Sequence, residues 1–161
     1  MKNILIVLII ASAASCAPVQ KTSPIHTSNS ASQPVNLQRE MLNLINSYRT
    51  KGYRGYPAVP PLRWNTRLEA AAKAHSNYMS SNNILSHTGR NGSDPGARIK
   101  AAGYNWSAYG ENIAMGQQTV REVVTTWVNS PAHLKNIMNR HVTEMGAAKS
   151  GRYWTQVFGR P

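Results

Sequence analysis

Apolar residues recur at helical spacing through much of the chain and change to strand spacing near its end. Leu37, Met41, Leu44, Ile45 and Tyr48 mark one face of an amphipathic helix over about residues 36–49. A Gly/Tyr/Pro-rich loop follows and ends in PPLRW at 60–64. Thr66 and Glu69 have the spacing of a capping box. They start a second helix, to about Asn82, with Leu68, Ala72, His75 and Met79 on its apolar face. Asp94-Pro95 predicts a short third helix that Gly103 closes. Thr119 and Glu122 form a second capping box. The helix they start buries Val120, Val123, Val124, Trp127 and Val128 and stops before Pro131. Ser130-Pro131 then opens a brief helix to about Met138.

Beyond that point the period shortens. Residues 144–149 and 152–158 read as strands joined at Ser150-Gly151, and Asn112 to Ala114 reads as a short strand beside them. Helices packed on a small, mainly antiparallel sheet give an α+β fold, in two or three layers.

The first 35 residues do not fit this pattern. Residues 1–16, MKNILIVLIIASAASC, have a positive start, a short apolar run and small residues before Cys16, as a secretory signal does. The run is too short for a membrane-spanning helix. Its end resembles a bacterial lipobox, with Ala13 where Leu is usual, so Cys16 is the expected lipidation site. It is the chain's one cysteine, which excludes an intrachain disulfide. Residues 17–35, rich in Ser, Thr, Pro and Gln, read as a flexible tether. The folded domain is expected at 36–161. The expected product is an exported lipoprotein, held at a membrane and facing the periplasm or the cell exterior.

Charge narrows the partners. The net charge is +12, with 18 basic and 6 acidic residues. A basic exported domain suits anionic envelope polymers or lipid headgroups. Basic and aromatic residues do interleave between Tyr48 and Trp64, as in some nucleic-acid or glycan platforms. Export and the scattering of the arginines argue against nucleic acid, and the loop's apolar residues read better as anchors of the core.

The scarce acidic residues sort by elimination. Glu40, Glu69 and Glu122 are expected in first turns of helices, where the dipole favours them, and Asp94 is a cap. Glu111, inside GENIAMG at 110–116, and Glu144 are left over. Among the histidines, His26 lies in the tether and His141 before a strand. His75 faces the core, where a hydrogen-bonded structural role is the commoner one. His87 follows a helix end. His133 sits in the first turn after Ser130, where the dipole should keep it neutral. His87, Glu111 and His133 are therefore the candidates for chemistry, with Glu144 in reserve. Two imidazoles and a carboxylate could hold Zn²⁺ or another divalent cation. They could equally form a proton-transfer centre or brace a cleft by hydrogen bonds.

The motifs PPLRW (60–64), AHSNYM (74–79), Ser86-His87, GENIAMG (110–116), WVNSPAHLKNIM (127–138) and YWTQVFG (153–159) occur in that order over about residues 37–160. Together they resemble the CAP superfamily of cysteine-rich secretory proteins, antigen 5 and pathogenesis-related 1, in its cysteine-poor bacterial branch. The resemblance implies a three-layer α-β-α sandwich with a surface cleft. That cleft carries two His and two Glu, of which His87, Glu111 and His133 match three. The other Glu follows the helix Trp in the family. Here Val128, Asn129 and Ser130 follow Trp127, so that carboxylate is missing. Asn129 or Ser130 is expected to take its space, with Glu144 as a substitute. The family implies a secreted binding module, some of whose members bind divalent metal, sterols or lipids, more than it implies an enzyme. The alternative is a metal-dependent or His/Glu hydrolase acting on envelope or extracellular material. Neither HExxH nor GxSxG occurs.

Overall fold

The computed structural model describes residues 33–161, with side chains from Leu37 onward. Cys16, the leader and nearly all of the expected tether lie outside the described residues. Five helices and four strands follow in the order α1 (Gln33–Lys51), β1 (Arg63–Trp64), α2 (Thr66–Asn82), α3 (Pro95–Ala101), β2 (Ala108–Met115), α4 (Val120–Val128), α5 (Pro131–Ile137), β3 (Glu144–Ser150) and β4 (Tyr153–Arg160).

Strand order across the sheet is β1-β3-β4-β2. The β3–β4 hairpin and the β4–β2 pair are antiparallel, and β1 joins β3 in parallel, with Arg63 opposite Glu144. Alternation along β3 and β4 divides the core. Met145, Ala147, Trp154 and Phe158 pack with Met41 and Ile45 of α1, Trp127 of α4 and Leu134 of α5. Ala148 and Val157 face the other way, toward Leu68 and Ala72 of α2 and Ile99 of α3. The sheet thus lies between two helical layers, in an α+β, α-β-α sandwich.

Gly146 sets the spacing on the second side. A Cβ there would run into the backbone of α2 at Leu68 and Glu69, so helix and sheet touch main chain to main chain.

Several local expectations change. The first helix begins at Gln33, which places Glu40 well past its first turn. Asn65, not Thr66, caps α2, and its side chain accepts from the amides of Arg67 and Leu68. Glu69 is in the first turn, and its carboxylate also accepts from Trp64 Nε1 at 2.8 Å. The end of PPLRW is a strand, because Arg63 N and Asn65 N donate to β3 and the residue before it. The short strand around Asn112 is the eight-residue β2. The α4 stripe is buried as expected.

Candidate functional site

β2 is an edge strand, and its alternation sends Glu111 and Ile113 toward α2 and α3, while Asn112 faces α5. Ile113 packs with Met79 of α2. Asn112 donates to His133 O at 3.3 Å and to Gln156 Oε1 at 3.0 Å. Asn136 of α5 donates to Glu111 O and Asn112 Oδ1, which ties α5 to the strand. Gly110 lies inside β2 rather than at a turn, and a Cβ there would crowd the Asn136 amide.

Glu111 is the centre of the site. Its side chain is only 2% exposed. Oε2 accepts from Arg98 Nη2 at 2.7 Å, and Oε1 accepts from His87 Nδ1 at 2.8 Å. An ionised carboxylate only accepts, so His87 carries its proton on Nδ1 and leaves Nε2 as the free acceptor. The His87 side chain is 54% exposed. A buried carboxylate thus orients a solvent-facing imidazole, much as a carboxylate orients the base of a catalytic dyad.

His75 stands on the same side. It is buried, its Nε2 lies 2.8 Å from Ser86 O, and that nitrogen is 3.9 Å from Glu111 Oε1. Burial holds its pKa below the ordinary value, against the pull of Glu111. The residue is hydrogen-bonded as a core histidine should be, yet it also borders the site. His133 belongs to α5 in the other layer. Its pKa is also lowered, first by burial and then by the nearby His87. The neutral state expected for it holds, with desolvation as the cause in place of the helix dipole. Its Nδ1 is buried without a partner among the described residues.

The structure therefore joins His87 to Glu111 and sets His133 close to His87. It also adds Arg98, which sequence reasoning missed. Glu144 sits elsewhere. Its carboxylate accepts from Tyr104 OH at 2.7 Å and Asn65 Nδ2 at 3.1 Å and pairs with Arg63 at 3.7 Å. Asn129 ends α4 and offers its carbonyl to Arg54, and Ser130 caps α5 without a hydroxyl bond to its amides. The aromatic-basic loop packs on the core through Tyr48, Tyr53, Tyr56 and Trp64, as partly buried anchors.

Comparison with known proteins bears on the fold. The profile of the Cysteine-rich secretory protein family, CAP, matches residues 42–158. The chain is 33% identical over 147 residues to YkwD of Bacillus subtilis, covering 90% of this chain and 55% of that protein. It is 28% identical over 121 residues to the B. subtilis membrane protein YlbC, covering 75% of this chain and 34% of YlbC. The chain thus spans about half or less of the length of these relatives. Among solved structures, an extracellular SCP-domain protein of Bacillus anthracis superposes with a TM-score of 0.72 at 27% identity, covering 79% of this chain and 41% of that one. An outer surface protein of Borrelia burgdorferi has the same fold, with a TM-score of 0.64 at 22% identity, covering 82% of this chain and 95% of that one. With the family profile spanning most of its length and this fold beneath it, the chain belongs to the cysteine-rich secretory protein, or CAP, family.

Proposed function

We propose that this chain is an exported ligand-binding domain, lipid-anchored through Cys16, that reads its ligand with the His87–Glu111–His133 cleft. The observation that carries this is the buried Glu111 holding an exposed His87 by Nδ1. Such an imidazole presents one oriented acceptor to a ligand at little entropic cost. The leader at 1–16 and the basic charge support export and an anionic envelope setting. So do the extracellular B. anthracis and outer-surface B. burgdorferi proteins that share the fold.

A divalent cation fits the site only in part. Both Glu111 oxygens are taken by Arg98 and His87, and among the described residues no three His, Cys, Asp or Glu side chains gather to hold an ion. The donors left are His87 Nε2 and the His133 ring, with water or ligand filling the other positions. Calorimetry with Zn²⁺ tests this. Heat should appear with the wild-type chain and vanish in the His87→Ala/His133→Ala double variant. Equal heats from both would remove the metal from the reading.

The His87–Glu111 pair also favours a second reading, in which His87 is a general base in hydrolysis of envelope material. No hydroxyl nucleophile pairs with His87 among the described residues; Ser86 Oγ instead accepts from Thr88 N. Water would be the nucleophile. Incubation with peptidoglycan fragments, with Glu111→Gln as the control, separates the two readings: hydrolysis lost in the control supports the enzyme.

A further inference from the structure

The two cleft imidazoles are held from neighbouring residues of β2. The Glu111 side chain fixes His87, and the Asn112 side chain donates to the carbonyl of His133 at 3.3 Å. Asn136, on the same short helix as His133, donates to Glu111 O at 3.0 Å and to Asn112 Oδ1 at 2.9 Å. These bonds set both histidines at the edge of the strand. The rings are close enough for His87 to add to the lowering of the His133 pKa that burial causes.

The rings differ in where a proton can sit. His87 turns Nδ1 to a carboxylate oxygen, so Nδ1 carries the proton and the outward Nε2 is a lone pair. His133 is half-buried, and Nδ1 is its buried nitrogen, without a partner among the described residues. Its outward nitrogen is Nε2. A neutral imidazole has one proton to place. On Nδ1 it would be a buried N–H with no acceptor, among the rarest faults in a folded protein. On Nε2 it meets solvent or ligand, and only a lone pair stays unmet inside, which is the milder fault. His133 therefore offers a donor where His87 offers an acceptor.

We propose that the cleft reads a neutral group that donates to His87 Nε2 and accepts from His133 Nε2–H, such as an alcohol hydroxyl or a primary amide. The proposal rests on the ligand-binding reading of this cleft and names the chemistry of its ligand. A carboxylate only accepts, so it would satisfy His133 and set lone pair against lone pair at His87. The net charge of +12 draws anions to the domain but does not select them here. Glu111 makes the selection, by fixing the proton of His87. In Glu111→Gln, Arg98 Nη2 keeps the amide oxygen at the Oε2 position. The NH₂ group then faces His87 Nδ1, which becomes the acceptor, and the ring proton moves to Nε2. Both rings now donate, and the cleft turns to groups that only accept.

NMR of the ring nitrogens in the full chain at pH 8 tests this. The proton should lie on Nδ1 in His87 and on Nε2 in His133. Titration with acetamide, glycerol and acetate at constant ionic strength should then move both Nε2 signals with a neutral probe, bound at least about tenfold tighter than acetate. A response to glycerol identifies a hydroxyl, and one to acetamide an amide. Glu111→Gln should shift the His87 proton to Nε2 and reverse the order, with acetate at least about tenfold tighter than either neutral probe. The wild-type measurements decide the matter without the variant if it fails to fold. A proton on Nδ1 of His133 overturns the proposal and leaves the ligand-binding reading standing. Tighter binding of acetate by the wild type, or an unchanged order in a folded Glu111→Gln, does the same. Silence of both rings toward all three probes overturns the proposal and counts against the ligand-binding reading as well.

Discussion

Arg98 Nη2 meets Glu111 Oε2 at 2.7 Å, with the two side chains 10% and 2% exposed. Removing one partner of such a pair strands the other charge in a poorly solvated place. Arg98→Met should lower stability by about 3–5 kcal/mol. The double variant Arg98→Met/Glu111→Leu should recover much of that loss. Urea melts of the two single variants and the double measure the coupling directly; additive losses would mean that the pair is not a unit.

Acid should weaken the fold through His75 and His133. Both have folded pKa values below the ordinary one, chiefly from burial. The unfolded chain therefore takes up protons first as pH falls through about 6.5. Stability is full above that pH and declines below it, until the folded-state histidines also titrate. Arg98, His87 and Glu111 surround His75 and enter its balance. The urea midpoint should drop between pH 7.5 and pH 5, and His75→Gln should flatten that drop.

Arg49 is fully buried and has no carboxylate partner among the described residues. It donates to the carbonyls of Pro60, Ile137, Asn139 and Val142, and burial pulls its pKa down to about 10. One guanidinium thereby fastens the loop after α1 to the segment after α5. Lysine keeps the charge but cannot span the same carbonyls. Arg49→Lys should cost about 3 kcal/mol by leaving buried acceptors unmet. Thermal melts at pH 7.5 check this, and hydrogen exchange should quicken around residues 60 and 139.

Gly146→Ala places a methyl group against the backbone of α2, which has no flexible end to move aside. The loss should exceed about 3 kcal/mol, at the upper end of overpacking effects. Gly55→Ala is the control. Its surroundings are open, but its φ of +84° strains any side chain, so about 1 kcal/mol is expected. Comparable melts for the two variants would show that the sheet can yield at Gly146.

The helical periods and the closing hairpin were legible because they are local, although the turn falls at Gly151-Arg152, one residue later than expected. The α4 stripe and the closing hairpin need no knowledge of distant residues. Glu111 was legible because carboxylates are few, and once the helix-end roles were assigned it stood out. Arg98 was not legible by the same route. With 18 basic residues, no process of elimination isolates one, and its short helix resembles a solvated surface. The signal available was indirect: a carboxylate beside core residues demands a cation. His75 read as structural because its pattern is that of a core position, and only the fold sets it 3.9 Å from Glu111. β1 escaped notice because two residues carry no period, and its pairing depends on a strand eighty residues later.

The bare contact at Gly146 also limits how the cleft can adapt. With α2 set backbone to backbone on the sheet at Gly146 and packed on it through Leu68, Ala72 and Met79, His75 and Glu111 ride on one closely packed slab. His87, Arg90 and Ser93 hang instead from the span between α2 and α3, whose backbone turns left-handed at Asn83 and Asn91. A proposed ligand in the cleft would meet that span first. On the proposed ligand-binding reading, changes of specificity should concentrate in residues 83–93.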